Sequence, residues 1–172
     1  PFKLLDEREV RRYNVELELD HGVLVPLYYL QEGGLDLPLL PLNMGLLPYT
    51  SLFEFGKILQ RIFLNYPKKI AVLASGDLSH RLIPSAPAGF SPRGKEFDRH
   101  ILNILETSRY KDFLDLEESL VEKAGECGLR PLIILTGAID ELGFKSRIYS
   151  YEGPFGVGYA VALMTKEEEA EE

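Results

Sequence analysis

Ile70-Ala71-Val72-Leu73-Ala74-Ser75-Gly76-Asp77-Leu78-Ser79-His80 is the stretch on which the fold reading turns. A short continuous apolar run that meets Ser, Gly and Asp reads as a buried strand, here Lys69 to Ala74, ending at a turn. In open α/β sheets ligands bind just beyond such strand ends, so the strand would deliver His80 to a site. Gly76 allows close backbone approach there, and the small Ser75 and Ser79 leave room beside the imidazole.

Outward from this stretch, helical and strand patterns alternate. Glu7 to Leu19 ends in alternation, with Val15, Leu17 and Leu19 on one face, and reads as a strand reaching Asp20. Gly22 to Leu30 reads as a short buried helix ended by Gly33-Gly34, and Leu37 to Leu42, punctuated by Pro38 and Pro41, as a short strand. Ser51 and Glu54 form a capping-box pattern before the helical series Phe55, Ile58, Leu59, Ile62 and Phe63, which stops at Pro67. Arg81 to Gly94 reads as a long loop over the strand end. Helices follow over Lys95 to Thr107, over Leu116 to about Glu126 with a stop at Gly128, and, buried, over Pro131 to Ile139. Ser146 to Tyr151 and Gly158 to Met164 read as closing strands around the turn Gly153-Pro154-Phe155-Gly156. The expected architecture is α/β, a sheet with helices on its faces.

Composition narrows the function classes. At 172 residues the chain is most simply one domain, 1–164, followed by an acidic tail or linker start at 165–172. A net charge of -8 argues against a nucleic-acid surface. No stretch approaches the ~20 apolar residues that span a bilayer. The charged start shows no signal peptide, and Pro1 in place of Met points to a trimmed or excised product. One cysteine, Cys127, leaves no internal disulfide framework and fits a reducing cytoplasm. A sheet with an exposed edge would favour homo-oligomers.

Three histidines are present. An imidazole at the position of His80 can take a proton from a substrate hydroxyl and return it, or simply cap the next loop. Asp77, three residues earlier, would orient that ring or stabilise the turn. His21 follows Asp20 and reads as structural or catalytic, and His100 belongs to the polar or boundary face of its helix. Glu126-Cys127-Gly128-Leu129-Arg130-Pro131 offers a carboxylate and a thiol at a helix end. Glu126 could ligate a metal, two His plus one carboxylate being the Fe(II) facial set, or belong to an ordinary helix C-terminus closed by Gly128. Cys127 is a second potential ligand or a small buried hydrophobe. Arg130 would pair with an anionic substrate or with Glu126. Glu152 to Tyr159 is glycine-rich but lacks the Lys-Ser/Thr of a phosphate loop. No Gly-x-Ser-x-Gly elbow or His-x-x-x-His pair supports a hydrolase.

Asp20-His21-Gly22 with Val25-Pro26-Leu27, Gly76-Asp77-Leu78-Ser79-His80, Glu126 to Pro131 and Gly153 to Tyr159 occur in one order over roughly Leu19 to Leu163. Together they resemble the class III extradiol ring-cleavage dioxygenase family, the LigB-type catalytic subunit. The likeness is greatest to members associated with the AmmeMemoRadiSam system, including the Memo proteins. The resemblance implies a central mixed sheet with helices on both faces, a catechol-like aromatic and O2 as substrates, and non-haem Fe(II), with Zn as the alternative metal. It implies His80 as acid/base, His21 as a pocket-lining catalytic histidine, and Glu126 as metal ligand with Cys127 as rival; Asp77 and Arg130, from the residue reading, are the expected substrate-binding pair. The family's two ligand histidines lie upstream of the matched motifs, and none of His21, His80 or His100 matches them. The chain would then correspond to the C-terminal two-thirds of the family's domain. A non-catalytic, Memo-like binding or scaffold module is the alternative function.

Overall fold

The computed structural model describes residues 8, 19–35 and 37–166. They fall into two compact units, 1–43 and 44–172. Among them no helix is long and apolar enough to cross a membrane. The strand expected over Glu7 to Leu19 and the tail beyond Lys166 lie mostly outside the described residues.

The first unit contributes helix α1 (His21–Glu32). Asp20 caps it, its Oδ1 accepting the Val23 N–H at 3.1 Å. A buried helix was expected here, yet no α1 residue is buried. Leu37 to Leu42 forms no strand: the segment is irregular and exposed. Pro38 and Pro41 each remove a ladder donor, and no strand among the described residues pairs with what remains.

The second unit is built on helices α2 (Tyr49–Leu64), α3 (Pro92–Thr107), α4 (Glu118–Ala124) and α5 (Leu129–Ala138), followed by strands β1 (Phe144–Glu152) and β2 (Tyr159–Lys166). Helix α2 starts before Ser51, because the Pro48 carbonyl already accepts the Leu52 N–H. The expected cap is therefore an interior residue. Helix α3 likewise begins earlier than Lys95: Ser91 accepts the Arg93 N–H and Pro92 fills the first turn, where no donor is needed. Helix α4 stops at Gly125, which takes a left-handed φ of 61°, and not at Gly128. This early stop frees Glu126–Gly128 to form a loop into α5.

Phe97, Ile101, Phe113, Leu129 and Ile133 are completely buried and form the centre of the core. Helices α2 and α5 cross with their backbones in contact. A Cβ on Gly56 would lie 2.2 Å from the Ile134 carbonyl oxygen, and one on Gly137 2.3 Å from that of Phe53. Only glycine at both positions permits this approach.

Strands β1 and β2 pair antiparallel, with Arg147 opposite Leu163 and a bulge between Ile148 and Ser150. Ile148, Ala160 and Met164 pack against the helical core, while Val161 and Leu163 face outward. This two-stranded sheet is the only sheet among the described residues. The central mixed sheet is not found among them, and Lys69 to Ala74 pairs with no strand of the described residues, with Ile70, Val72 and Leu73 exposed. An apolar run becomes a strand only where another strand takes up its N–H and C=O groups. The architecture is thus mixed helical and sheet, with helices supplying most of the core.

Candidate functional site

Backbone contacts between distant segments set up the site. The Asp77 carbonyl accepts the N–H groups of both Cys127 (3.2 Å) and Gly128 (2.8 Å). A Cβ on Gly76 would stand 2.6 Å from the Gly128 Cα, so the two glycines let these segments touch. Leu78 donates to the Gly158 carbonyl at 2.9 Å, and Gly158 donates back to the Ser79 carbonyl at 2.8 Å. The His80 N–H bonds the Ala124 carbonyl at 3.2 Å. Residues 76–80 are thereby clamped between the α4–α5 loop and the β1–β2 turn.

Three side chains converge on this platform. His80 Nε2 lies 3.4 Å from Asp77 Oδ2 and 3.8 Å from Cys127 Sγ. Cys127 Sγ also accepts the Asp77 N–H at 3.1 Å. One donor atom from each of Asp77, His80 and Cys127 falls within 4.8 Å of the others. A carboxylate oxygen, an imidazole nitrogen and a sulfur suit a first-row divalent metal such as Fe(II) or Zn(II). Burial, the largest influence, pushes the Cys127 thiol above its ordinary range, with the Asp77 and Glu126 charges acting in the same direction. These surroundings favour the neutral thiol, and a cation beside it would draw off the proton.

Glu126 points elsewhere. Its Oε2 accepts the Leu129 N–H at 2.6 Å and so closes the N-terminus of α5. Burial raises its proton affinity, opposed by that hydrogen bond and by the charge of Arg130. Arg130 donates to the Leu47 carbonyl and lies over the Tyr49 ring at 5.1 Å. With Glu118, Glu122 and Glu126 these two residues line an open groove of about 350 Å³. Asp77, His80 and Cys127 do not line it. His21 opens α1 in the first unit and is exposed, and His100 is exposed on α3.

The sequence reading passed over Asp98 and Tyr151. Asp98 is almost wholly buried on α3, its Oδ1 accepting the Ser79 N–H at 2.8 Å and its Oδ2 the Tyr151 O–H at 2.7 Å. A signal was available: 98, 101, 102 and 105 share a helix face, so this carboxylate sits on the apolar stripe.

Residues 2–162 match the model of the catalytic LigB subunit of aromatic ring-opening dioxygenase. The chain belongs to the LigB family. A Clostridium acetobutylicum protein is 36% identical over 152 residues, which are 88% of this chain and 32% of that protein. A 4,5-DOPA dioxygenase extradiol-like protein of Schizosaccharomyces pombe is 32% identical over 56% of this chain and 32% of its own length. The 3,4-dihydroxyphenylacetate 2,3-dioxygenase of Escherichia coli is 23% identical over 78% of this chain and 51% of its own. The LigB chain thus spans a third to a half of the length of these relatives. Its mixed helical and sheet architecture is compatible with the α/β fold of the family.

Proposed function

We propose that this LigB chain carries part of the catalytic site of an Fe(II)-dependent extradiol dioxygenase that opens a catechol-like ring with O2. The observation that carries the reading is the convergence of His80, Asp77 and Cys127 within 4.8 Å of one another, in a chain of this family.

Each residue has a distinct part. His80 takes the catechol hydroxyl proton on Nε2 and returns it after ring opening, a task suited to an imidazole near neutral pH. Asp77 Oδ2, at 3.4 Å, faces the ring nitrogen that acquires positive charge and stabilises the imidazolium. With His80 and the facing Asp77 Oδ2 given to the proton, Cys127 Sγ is the donor this cluster would offer the metal. Bound there, Fe(II) supplies Lewis acidity towards the catecholate and redox chemistry towards O2. Glu126 enters as the residue that fixes the Cys127 loop, since its oxygen holds the Leu129 N–H. Arg130 braces α5 against Leu47 and Tyr49, among glutamates that offset its charge towards an anionic substrate.

The test is O2 uptake by anaerobically Fe(II)-loaded protein across a series of catechols, with absorbance monitored for the yellow semialdehyde of ring cleavage. Coupled uptake and colour are expected. Stoichiometric iron with neither uptake nor colour for any catechol would overturn the dioxygenase reading.

A further inference from the structure

Asp98 is a carboxylate only 1% exposed, between Phe97 and Ile101 in the core. A buried carboxylate is costly unless its oxygens are engaged. Both are: Ser79 N–H on Oδ1 and Tyr151 O–H on Oδ2. Among the described residues no lysine or arginine is paired with it, and His80 is the basic side chain that acts on it. Gly158 makes the arrangement possible, because a Cβ there would stand 2.2 Å from Oδ2. Ser79 itself is fully buried, its hydroxyl donating to the Ala124 carbonyl at 2.9 Å and accepting the Arg81 N–H at 3.1 Å.

Every hydrogen bond around Ser79 therefore fixes the backbone that carries His80. A backbone carbonyl could satisfy the Ser79 amide at lower desolvation cost. The fold instead uses an aspartate and closes it with a tyrosine from β1. We propose that Asp98, closed by Tyr151, is the positioning residue that holds His80 against Cys127. The inference rests on the role given to His80 above. It adds a linkage from β1 through α3 to the site: Tyr151, Asp98, Ser79, His80.

The test reads the geometry directly. In histidine-labelled protein the His80 ring signal is assigned by its loss in H80Q, and the shift that C127S imposes on it measures the contact between the two residues. In D98A, folded by circular dichroism, this shift should fall to less than half, while Co(II) affinity stays near that of the wild type, because His80 is not counted among the metal donors. D98N should restore most of the shift, because an amide oxygen still accepts the Ser79 N–H. Y151F, which removes one hydroxyl from a partly exposed residue, should show a smaller loss in the same direction. A purely structural Asp98 would lower the melting temperature and leave the shift unchanged in folded D98A, and that result overturns the proposal. If D98A does not fold, Y151F decides, and an unchanged shift there overturns it equally. Wild-type protein that binds no Co(II) would count against the metal reading alone, since the C127S shift still decides the role of Asp98.

Discussion

The Asp77 N–H donates to Cys127 Sγ at 3.1 Å across fifty residues of chain, while the Asp77 carbonyl accepts the Cys127 N–H at 3.2 Å. One residue thus holds both ends of the cysteine that faces His80. The site is a property of two backbone segments pressed together, and its chemistry can be separated residue by residue.

Cys127→Ser and His80→Ala should divide metal binding from turnover. After anaerobic Fe(II) loading, C127S is expected to lose retained iron by tenfold or so. H80A is expected to keep its iron and lose ring cleavage by about 10²-fold or more. Elemental analysis beside the O2 electrode checks both, and full turnover in H80A would remove that residue from the chemistry.

Gly56→Ala probes the α2–α5 crossing away from the site. Its Cβ would fall 2.2 Å from the Ile134 carbonyl oxygen, so the helices must separate. A loss of about 1–3 kcal/mol is expected, read as a shift in the denaturation midpoint with an unchanged slope. Gly76→Ala creates the same conflict at the Gly128 Cα and should in addition weaken metal retention.

Glu126 predicts a pH dependence whose direction follows from its burial. Its folded-state proton affinity is raised above the ordinary 4.5, with burial the leading cause. The folded protein then holds this proton more tightly than the unfolded chain does. The contribution is fully present below about pH 4.5 and is lost as pH rises through the elevated value. Glu126→Gln retains an oxygen for the Leu129 N–H and cannot ionise. The stability of E126Q relative to the wild type should therefore increase over that window in denaturant titrations at stepped pH. Glu126→Ala removes the cap and should cost about 1 kcal/mol at low pH, and less as pH rises through that window.

Leu73→Lys tests the exposed apolar run ahead of the site. Leu73 is 60% exposed, so the substitution should change stability by no more than about 0.5 kcal/mol. A loss of several kcal/mol in thermal or denaturant unfolding would show that this run is covered in solution.

Local signals in the sequence carried much of this molecule. The stripe through Phe97, Ile101 and Leu105 marked α3, and the apolar run after Gly128 marked α5, because a 3.6-residue period needs no knowledge of partners. Both closing strands were legible from their apolar and β-branched residues and the Gly-Pro turn between them. Helix starts were misplaced by a few residues: Pro48, Ser91 and Gly128 end up at the boundaries, positions that compete locally with Ser51 and Lys95.

What the sequence determined alone was the set of amphipathic helices, the Gly76-Asp77-Leu78-Ser79-His80 turn and the family it resembles. Tertiary structure decided which neighbour of Gly128 meets His80. Glu126 and Cys127 are adjacent in sequence, yet the early stop of α4 at Gly125 turns the carboxylate to the α5 amides and the sulfur to His80. It also decided that Asp98 lies beneath Ser79, and that Ile70 to Leu73 forms no sheet with the described strands. The physical reason is common to all three. Hydrogen-bond partners and strand neighbours are distant in sequence, and no local pattern of residue types records which of them will arrive.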